Sequence, residues 1–181
     1  MAASSIHSRA KALGAFVRRS STAVPLATLA LTALAACYDP VHLDEVATLG
    51  PEIPGVPTGP EHRAGQPCLT CHGGDGPAEL ELAVGGTVYK TRGSKDALIS
   101  AKITITDARG YARSVRSNDV GNFYIPRSDW PDMTFPLRAV LEAESVRREM
   151  VTNINRNGGC ATCHRDAGDR TLMPGVFLRD K

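Results

Sequence analysis

The pentapeptide Cys-x-x-Cys-His occurs twice in this chain of 181 residues, at Cys68–His72 and again at 160–164. Two thiols three positions apart can add to the two vinyl groups of one porphyrin, and the adjoining His can offer its imidazole to the iron. Because only five of the 181 residues are His, chance would place one behind both pairs roughly once in a thousand trials. The repeated motif therefore predicts two covalent haems, around which this chain has to fold.

Each motif is expected to hold its haem through two thioether bonds and one proximal iron ligand. The predicted thioether residues are Cys68, Cys71, Cys160 and Cys163, and the predicted proximal ligands are His72 and His164. The flanks, with Gly65-Gln-Pro before the first motif and Gly73-Gly74 after it, resemble the attachment segments of c-type cytochromes. Gly158-Gly159 precede the second motif and give a porphyrin similar clearance.

The distal iron ligands are less constrained by the sequence. Met173 follows His164 by nine residues, a reach of at most ~30 Å, and is the distal candidate for the second haem. The first haem has no preferred distal ligand. The remaining candidates compete with core packing or with a place in a solvated tether: Met133, Met150, His42 and His62.

The four thiols allow other chemistries. Brought to one place, they could hold a single zinc ion in a four-thiolate site, although this leaves the paired His unexplained. Simple disulfides within each pair are a further alternative. A redox dithiol of the thioredoxin kind is also conceivable, but the βαβ context that it needs is missing.

The N-terminal region predicts export. Residues 1–36 carry four basic side chains and no acid, and the apolar run 23–36 is too short to span a bilayer, as in a signal peptide. Leu34-Ala-Ala-Cys37 resembles the lipobox of bacterial lipoproteins, which implies cleavage before Cys37 and lipidation of that residue; ordinary cleavage near Ala36 is the alternative. With Cys37 lipidated, the other four of the five cysteines fall into the two motifs.

Charge and length limit the possible functions. The whole chain has a net charge of +2, but the part after residue 36 has 17 basic and 19 acidic residues, a balance of −2. The basic residues are scattered, so the sequence predicts no binding to nucleic acid. Aromatic residues make up 5% of the chain, and the apolar faces of a porphyrin could add to such a thin core.

The predicted mature chain has four parts. Residues 37–66 contain the lipid anchor and a tether in which Pro recurs every third residue from Pro51 to Pro60, which favours an extended polyproline II spacer. Residues 67–83 hold the first motif, residues 84–154 a β-sandwich, and residues 155–181 the second motif.

Short strands separated by turns predict that residues 84–154 are all-β. Residues 101–106 alternate strictly between apolar and polar side chains and form the clearest strand. Gly-Gly-Thr-Val-Tyr from residue 85 and the turns at Asp107–Gly110 and Asp119–Gly121 resemble the carboxypeptidase regulatory-like, transthyretin-like (Ig-like) sandwich module. That resemblance implies a structural or binding unit without catalytic residues. In this family a Gly follows the fifth strand, where this chain has Glu144-Ser145.

Six strands in alternating directions would bring both ends of the sandwich to the same pole. We therefore predict that the two motifs are neighbours in space. The sequence as a whole predicts a lipid-anchored dihaem c-type electron carrier of the periplasm or outer membrane, with redox proteins of the cell envelope as partners. The competing interpretation is a non-catalytic surface binding module. No enzyme motif is present, although an open coordination position on iron could give peroxidase-like chemistry.

Overall fold

Seven strands in two sheets form the body of the protein in a computed structural model, which describes residues 39–165 and 173–180. The strands are β1 (Leu82–Thr91), β2 (Lys102–Thr106), β3 (Ala112–Arg116), β4 (Asn122–Pro126), β5 (Arg138–Ala143), β6 (Val146–Glu149) and β7 (Val176–Arg179). The helices are α1 (Pro40–Thr48), α2 (Cys68–His72) and two 3₁₀ turns, Arg127–Asp129 and Cys160–Thr162. The predicted signal peptide and Cys37 lie outside the described residues.

The two sheets differ in their pairing. One has the order β4-β1-β7, in which β1 is antiparallel to β4 and parallel to β7. The other has the order β3-β2-β5-β6 and is antiparallel throughout. The predicted all-β sandwich is thereby confirmed.

Alternation of side chains explains why the sheets pack together. In β2, Ile103 and Ile105 are buried and Thr104 between them is partly exposed, whereas β1 is buried along the whole of residues 82–88, including Val84 and Val88. These side chains form one core with residues from the other strands and from the loop after β4: Phe123, Ile125, Trp130, Leu137, Leu141 and Leu178. Each such apolar side chain that is buried stabilises the folded state by about 1.5–3 kcal/mol, and together these side chains hold the two small sheets against each other.

Residues 82–149 contain six strands, the number predicted for the sandwich. The seventh strand, β7, comes after the second motif and pairs with the C-terminal half of β1, with Val88 opposite Val176. The chain therefore returns to the first sheet after passing through the second motif. Residues 158–159 occupy the same edge beside the N-terminal half of β1, where Gly85 forms a parallel bridge with Gly159.

The segment predicted as an extended tether is partly helical and partly packed on the sandwich. Helix α1 covers Pro40–Thr48, and it escaped the sequence analysis because it has no strong apolar stripe and buries none of its residues. Further along, Asn122 Nδ2 donates hydrogen bonds to the backbone oxygens of Pro60 (3.2 Å) and His62 (2.9 Å). The end of this segment is therefore fixed to the first sheet. In the described part of the chain, no helix is long and apolar enough to cross a membrane.

Candidate functional site

The first motif forms the short helix α2. Pro67 precedes it with φ −73°, and the amide of Gly73 closes it with a hydrogen bond of 2.9 Å to the oxygen of Leu69. On a helix, positions separated by three and four residues share one face. Cys71 and His72 therefore lie on the same face as Cys68, which is the arrangement that a single haem requires.

The second motif repeats this arrangement on a 3₁₀ turn. The amides of Cys163 and His164 both donate to the oxygen of Cys160, at 3.2 and 2.8 Å. These bonds span three and four residues, so the two thiols and the imidazole again share a face. The two motifs thus adopt similar local structures on different parts of the fold.

Both imidazoles are oriented in the same way by a backbone oxygen. His72 Nδ1 lies 2.7 Å from the oxygen of Leu80, and His164 Nδ1 lies 3.0 Å from the oxygen of Pro174. A carbonyl oxygen only accepts, so each Nδ1 carries a proton, and in the neutral imidazole Nε2 is then the nitrogen with the lone pair. Ligation by one ring nitrogen while the other donates to a carbonyl is the usual arrangement of a metal-binding His.

The first motif faces a cavity of about 570 Å³, called cavity one here. The cavity lies between residues 46–66, called the N-terminal segment here, and the strands β1 and β4 of the first sheet. Its wall is mostly apolar and includes Val46, Leu49, Pro77, Leu80, Leu82 and Phe123 beside the first motif. Arg63 also lines it, but its guanidinium already binds Glu52 and Gln66 at 2.8 Å each. The volume lies within the range of roughly 300–1,000 Å³ that is typical of cofactor sites.

The second motif faces a larger cavity of about 840 Å³, called cavity two, which opens between the two sheets. Core side chains line it, among them Val88, Ile103, Ile105 and Leu141. Arginine side chains also line this cavity: Arg92, Arg148 and Arg156. Cavity two therefore combines an apolar interior with basic groups that could pair with carboxylates.

The first thiol of each motif is held in a poorly solvated place. Burial raises the pKa of Cys68 to about 11. Burial also raises the pKa of Cys160 to about 12, with a smaller contribution from the neighbouring Cys68. Reactive dithiols need a lowered pKa, so these environments do not suit a redox dithiol. All four cysteines of the two motifs are free thiols in the structure.

Two consecutive glycines of β1 bring the motifs together. A Cβ on Gly85 would lie 3.2 Å from Cys68 Cβ, and a Cβ on Gly86 would lie 2.7 Å from Cys160 Cβ. Successive residues of a strand face opposite sides of the sheet, so the motifs approach β1 from its two faces. The prediction that the motifs are neighbours is confirmed, but they meet against β1 itself rather than beyond the end of the sandwich.

The methionines predicted as possible distal ligands differ in where they lie relative to cavity two. Met173 forms a parallel bridge with His164, and its amide donates to the oxygen of Cys163 at 2.9 Å. Its backbone therefore lies beside the proximal imidazole rather than across the cavity from it, which does not favour Met173 as the ligand opposite His164. Met150 lines cavity two and is the better placed methionine, whereas Met133 is buried in the core.

His62 is the distal candidate that lies nearest to a proximal imidazole. As a solvated tether residue it should be exposed, but its side chain is only 26% exposed and it lines cavity one. Its ring centroid lies 5.7 Å from that of His72. The sequence held one signal, a His shortly before the motif, but the contact depends on how the intervening loop folds. His42 on α1 is not among the residues that line cavity one.

Within residues 39–165 and 173–180, no cluster of three or more His, Cys, Asp or Glu side chains could hold a metal ion. Comparison with known proteins adds no identity, since no family model, no curated protein and no solved structure matches the chain.

Proposed function

We propose that the protein is a dihaem electron carrier of the c type, anchored in the cell envelope through a lipid on Cys37. The observation that carries this proposal is a repeated constellation of two thiols and one imidazole on a helical turn, with Nδ1 bound to a carbonyl oxygen and a largely apolar cavity in front. A c-type haem supplies a one-electron iron couple when it is bound. The residues of this chain would hold it, orient it and exclude water from it.

Attachment would use the four motif thiols. Each S–H adds across one vinyl C=C bond, so that sulfur bonds to one carbon and the hydrogen goes to the other, with no oxidant consumed. Cys68 and Cys71 would serve cavity one, and Cys160 and Cys163 would serve cavity two. The two Nε2 atoms would ligate iron, held in place by the carbonyls of Leu80 and Pro174.

The positions of the thiols favour two sites over one zinc site. A four-thiolate zinc site needs all four sulfurs within bonding reach of one ion. Here Cys68 and Cys160 approach β1 from opposite faces, next to Gly85 and Gly86, and each motif lines its own cavity. This arrangement supports two separate cofactors.

Short distance between the sites would let one electron pass from a donor protein of the envelope through both haems to an acceptor. Phe123 lines both cavities and thus lies between them. The resemblance of residues 84–154 to the carboxypeptidase regulatory-like module fits this role, because the sandwich would then act as a scaffold. We accordingly expect an electron carrier rather than an enzyme.

The test is covalent haem content. Full-length protein produced with the cytochrome c maturation machinery should be red, retain haem on a denaturing gel and carry the added mass of two haems. Cys68→Ala with Cys71→Ala, and separately Cys160→Ala with Cys163→Ala, should each reduce the content to one haem. A colourless protein without added mass would refute the proposal, and zinc bound to that protein would support a metal site of another kind.

The lipid anchor has its own test. Cys37→Ser should move the protein from the membrane fraction to the soluble periplasmic fraction, while haem content stays at two per chain. Retention in the membrane fraction would contradict the proposed anchor.

A further inference from the structure

His62 and His72 face each other in cavity one. Their ring centroids are 5.7 Å apart, the ring planes are inclined by 64°, and both rings line the cavity together with Cys68 and Cys71. Cavity one therefore contains a second imidazole besides the one that the motif supplies.

The backbone of His62 is fixed to the first sheet. Buried Asn122 donates to the oxygen of His62 at 2.9 Å, and its own side-chain oxygen accepts from the hydroxyl of Thr87 at 2.7 Å. These residues belong to β4 and β1, so His62 is held by rigid elements although it lies in a loop. A ligand held this way costs little entropy to position.

The ring of His62 lies beside a carboxylate. Its Nδ1 lies 3.5 Å from Glu52 Oε1, an ion-pair distance rather than a well-formed hydrogen bond. Glu52 is itself held by Arg63 Nε at 2.8 Å. In metal-binding sites a carboxylate commonly lies beside one ring nitrogen of a His while the other ring nitrogen ligates the metal.

We propose that His62 is the second axial ligand of the iron that binds His72, so that cavity one holds a bis-histidine haem. This inference rests on the proposed function. Two metal–imidazole bonds of about 2.0–2.1 Å, added to the two ring radii, give a centroid separation of about 6.4 Å, within an ångström of the observed 5.7 Å. No methionine is among the described residues that line cavity one.

Among the described residues, cavity two is lined by methionines and a single His, whereas cavity one is lined by two His and no methionine, so the two cavities offer different possible iron ligands. Cavity two is lined by Met150 and Met173, and His164 is the one His among its described lining residues. A thioether ligand raises the reduction potential of a haem relative to a second imidazole. With Met150 as the second ligand in cavity two, the first haem would be the lower-potential site, and electrons would run from cavity one to cavity two.

Carbon monoxide tests the coordination of the first haem, because it binds ferrous haem that has an open or weakly held axial position. Full-length His62→Ala, carrying both haems, should bind one more carbon monoxide molecule per chain than the parent, and the ferric spectrum should gain a high-spin component. Added imidazole should restore the low-spin ferric spectrum. His42→Ala, which alters a His of the same segment outside the cavity lining, is the matched control and should behave like the parent.

The outcomes separate the two proposals. If the parent carries no covalent haem, the proposed function fails and this inference fails with it. If the parent carries two haems and His62→Ala leaves both the carbon monoxide stoichiometry and the spin state unchanged, the inference is overturned while the proposed function stands.

A measurement on the parent protein avoids any dependence on the folding of a variant. Protein labelled with ¹⁵N-histidine should show, in pulsed electron paramagnetic resonance of the ferric state, one low-spin centre coupled to two imidazole nitrogens and a second centre coupled to one. Two centres that each couple to a single imidazole would contradict a bis-histidine site.

Discussion

Gly86 is one of the close contacts between the sandwich and the second motif. A Cβ at this position would lie 2.7 Å from Cys160 Cβ and 3.2 Å from the ring of Phe123, and real Cβ atoms do not approach a neighbour as closely as 2.7 Å. Phe123 is buried, so the ring has little room to give way. The absence of a side chain at Gly86 is therefore what allows the second motif to lie against β1.

Gly86→Ala should lower the free energy of unfolding by about 1–3 kcal/mol, the usual cost of overpacking a core, and should reduce haem content at the second motif. Urea denaturation followed by circular dichroism, with haem quantified on the same samples, measures both effects. Gly74→Ala is the control, because its Cβ would meet Glu81 at an ordinary 3.6 Å. Equal stability of the two variants would contradict the predicted steric role.

Asp107 illustrates a buried carboxylate that works as a turn-former. Its side chain is 0% exposed and accepts hydrogen bonds from the amides of Arg109 (2.9 Å) and Tyr111 (3.0 Å) and from the hydroxyl of Thr134 (3.2 Å). Burial alone would raise the pKa of this carboxyl, but these hydrogen bonds outweigh burial, and the pKa of Asp107 is lowered. The charged form is therefore the one that stabilises the fold.

Asp107→Asn should lower the urea midpoint at pH 7, and the difference from the parent should shrink as the pH falls. A carboxyl with a lowered folded pKa stabilises the native state above its unfolded pKa of about 3.9 and loses that effect as the pH falls through the folded value. Midpoints at pH 7, 5 and 3 test this, with exposed Asp119→Asn as the control. A difference that stays constant down to pH 3 would show that the charge is not responsible.

At the scale of elements, the hairpin between β5 and β6 has a turn that its sequence does not favour. Ala143 pairs with Val146, so Glu144 and Ser145 form a two-residue turn, and both have positive φ, at 49° and 63°. Such turns favour Asn-Gly, because residues with a Cβ are strained in the left-handed region. The hairpin forms although neither turn position is a glycine.

Ser145→Gly should therefore raise the free energy of unfolding by roughly 0.5–1 kcal/mol, since glycine relieves left-handed strain of about that size net of its greater unfolded entropy. Thermal and urea unfolding would measure the gain. Ser145→Ala serves as the comparison, because it shortens the side chain and keeps the Cβ. A gain equal to that of Ser145→Gly would rule out backbone strain as the cause.

The sequence predicted the elements that local pattern determines and missed those that depend on distant contacts. Alternation identified β2, and the repeated spacing identified the thiols and imidazoles of both sites. Strand β7 is four residues long and pairs in parallel with a strand far away in the sequence, so no local signal marks it. The carbonyls of Leu80 and Pro174 and the ring of His62 reach the sites through loops, whose conformation the packed sheets decide.

At the scale of the whole molecule, the two cavities relate differently to the core. Cavity one lies between the N-terminal segment and the first sheet, whereas cavity two opens between the sheets and shares Val88, Ile103 and Leu141 with the core. A small sandwich buries a limited share of its apolar surface, so a large apolar group between its sheets adds directly to the core. If the protein binds two haems as proposed, the second should therefore stabilise the fold more than the first.

Two matched double variants test this difference, since each removes two thiols and one haem. Cys160→Ala with Cys163→Ala should lower the free energy of unfolding by on the order of 2 kcal/mol more than Cys68→Ala with Cys71→Ala, because the cavity left between the sheets exposes core side chains to water. Urea denaturation of both proteins, each confirmed to carry one haem, gives the comparison. Hydrogen exchange should localise the extra loss to β1, β2 and β5, which border cavity two. Equal losses, or a larger loss on removing the first haem, would mean that cavity two is not part of the core of the loaded protein.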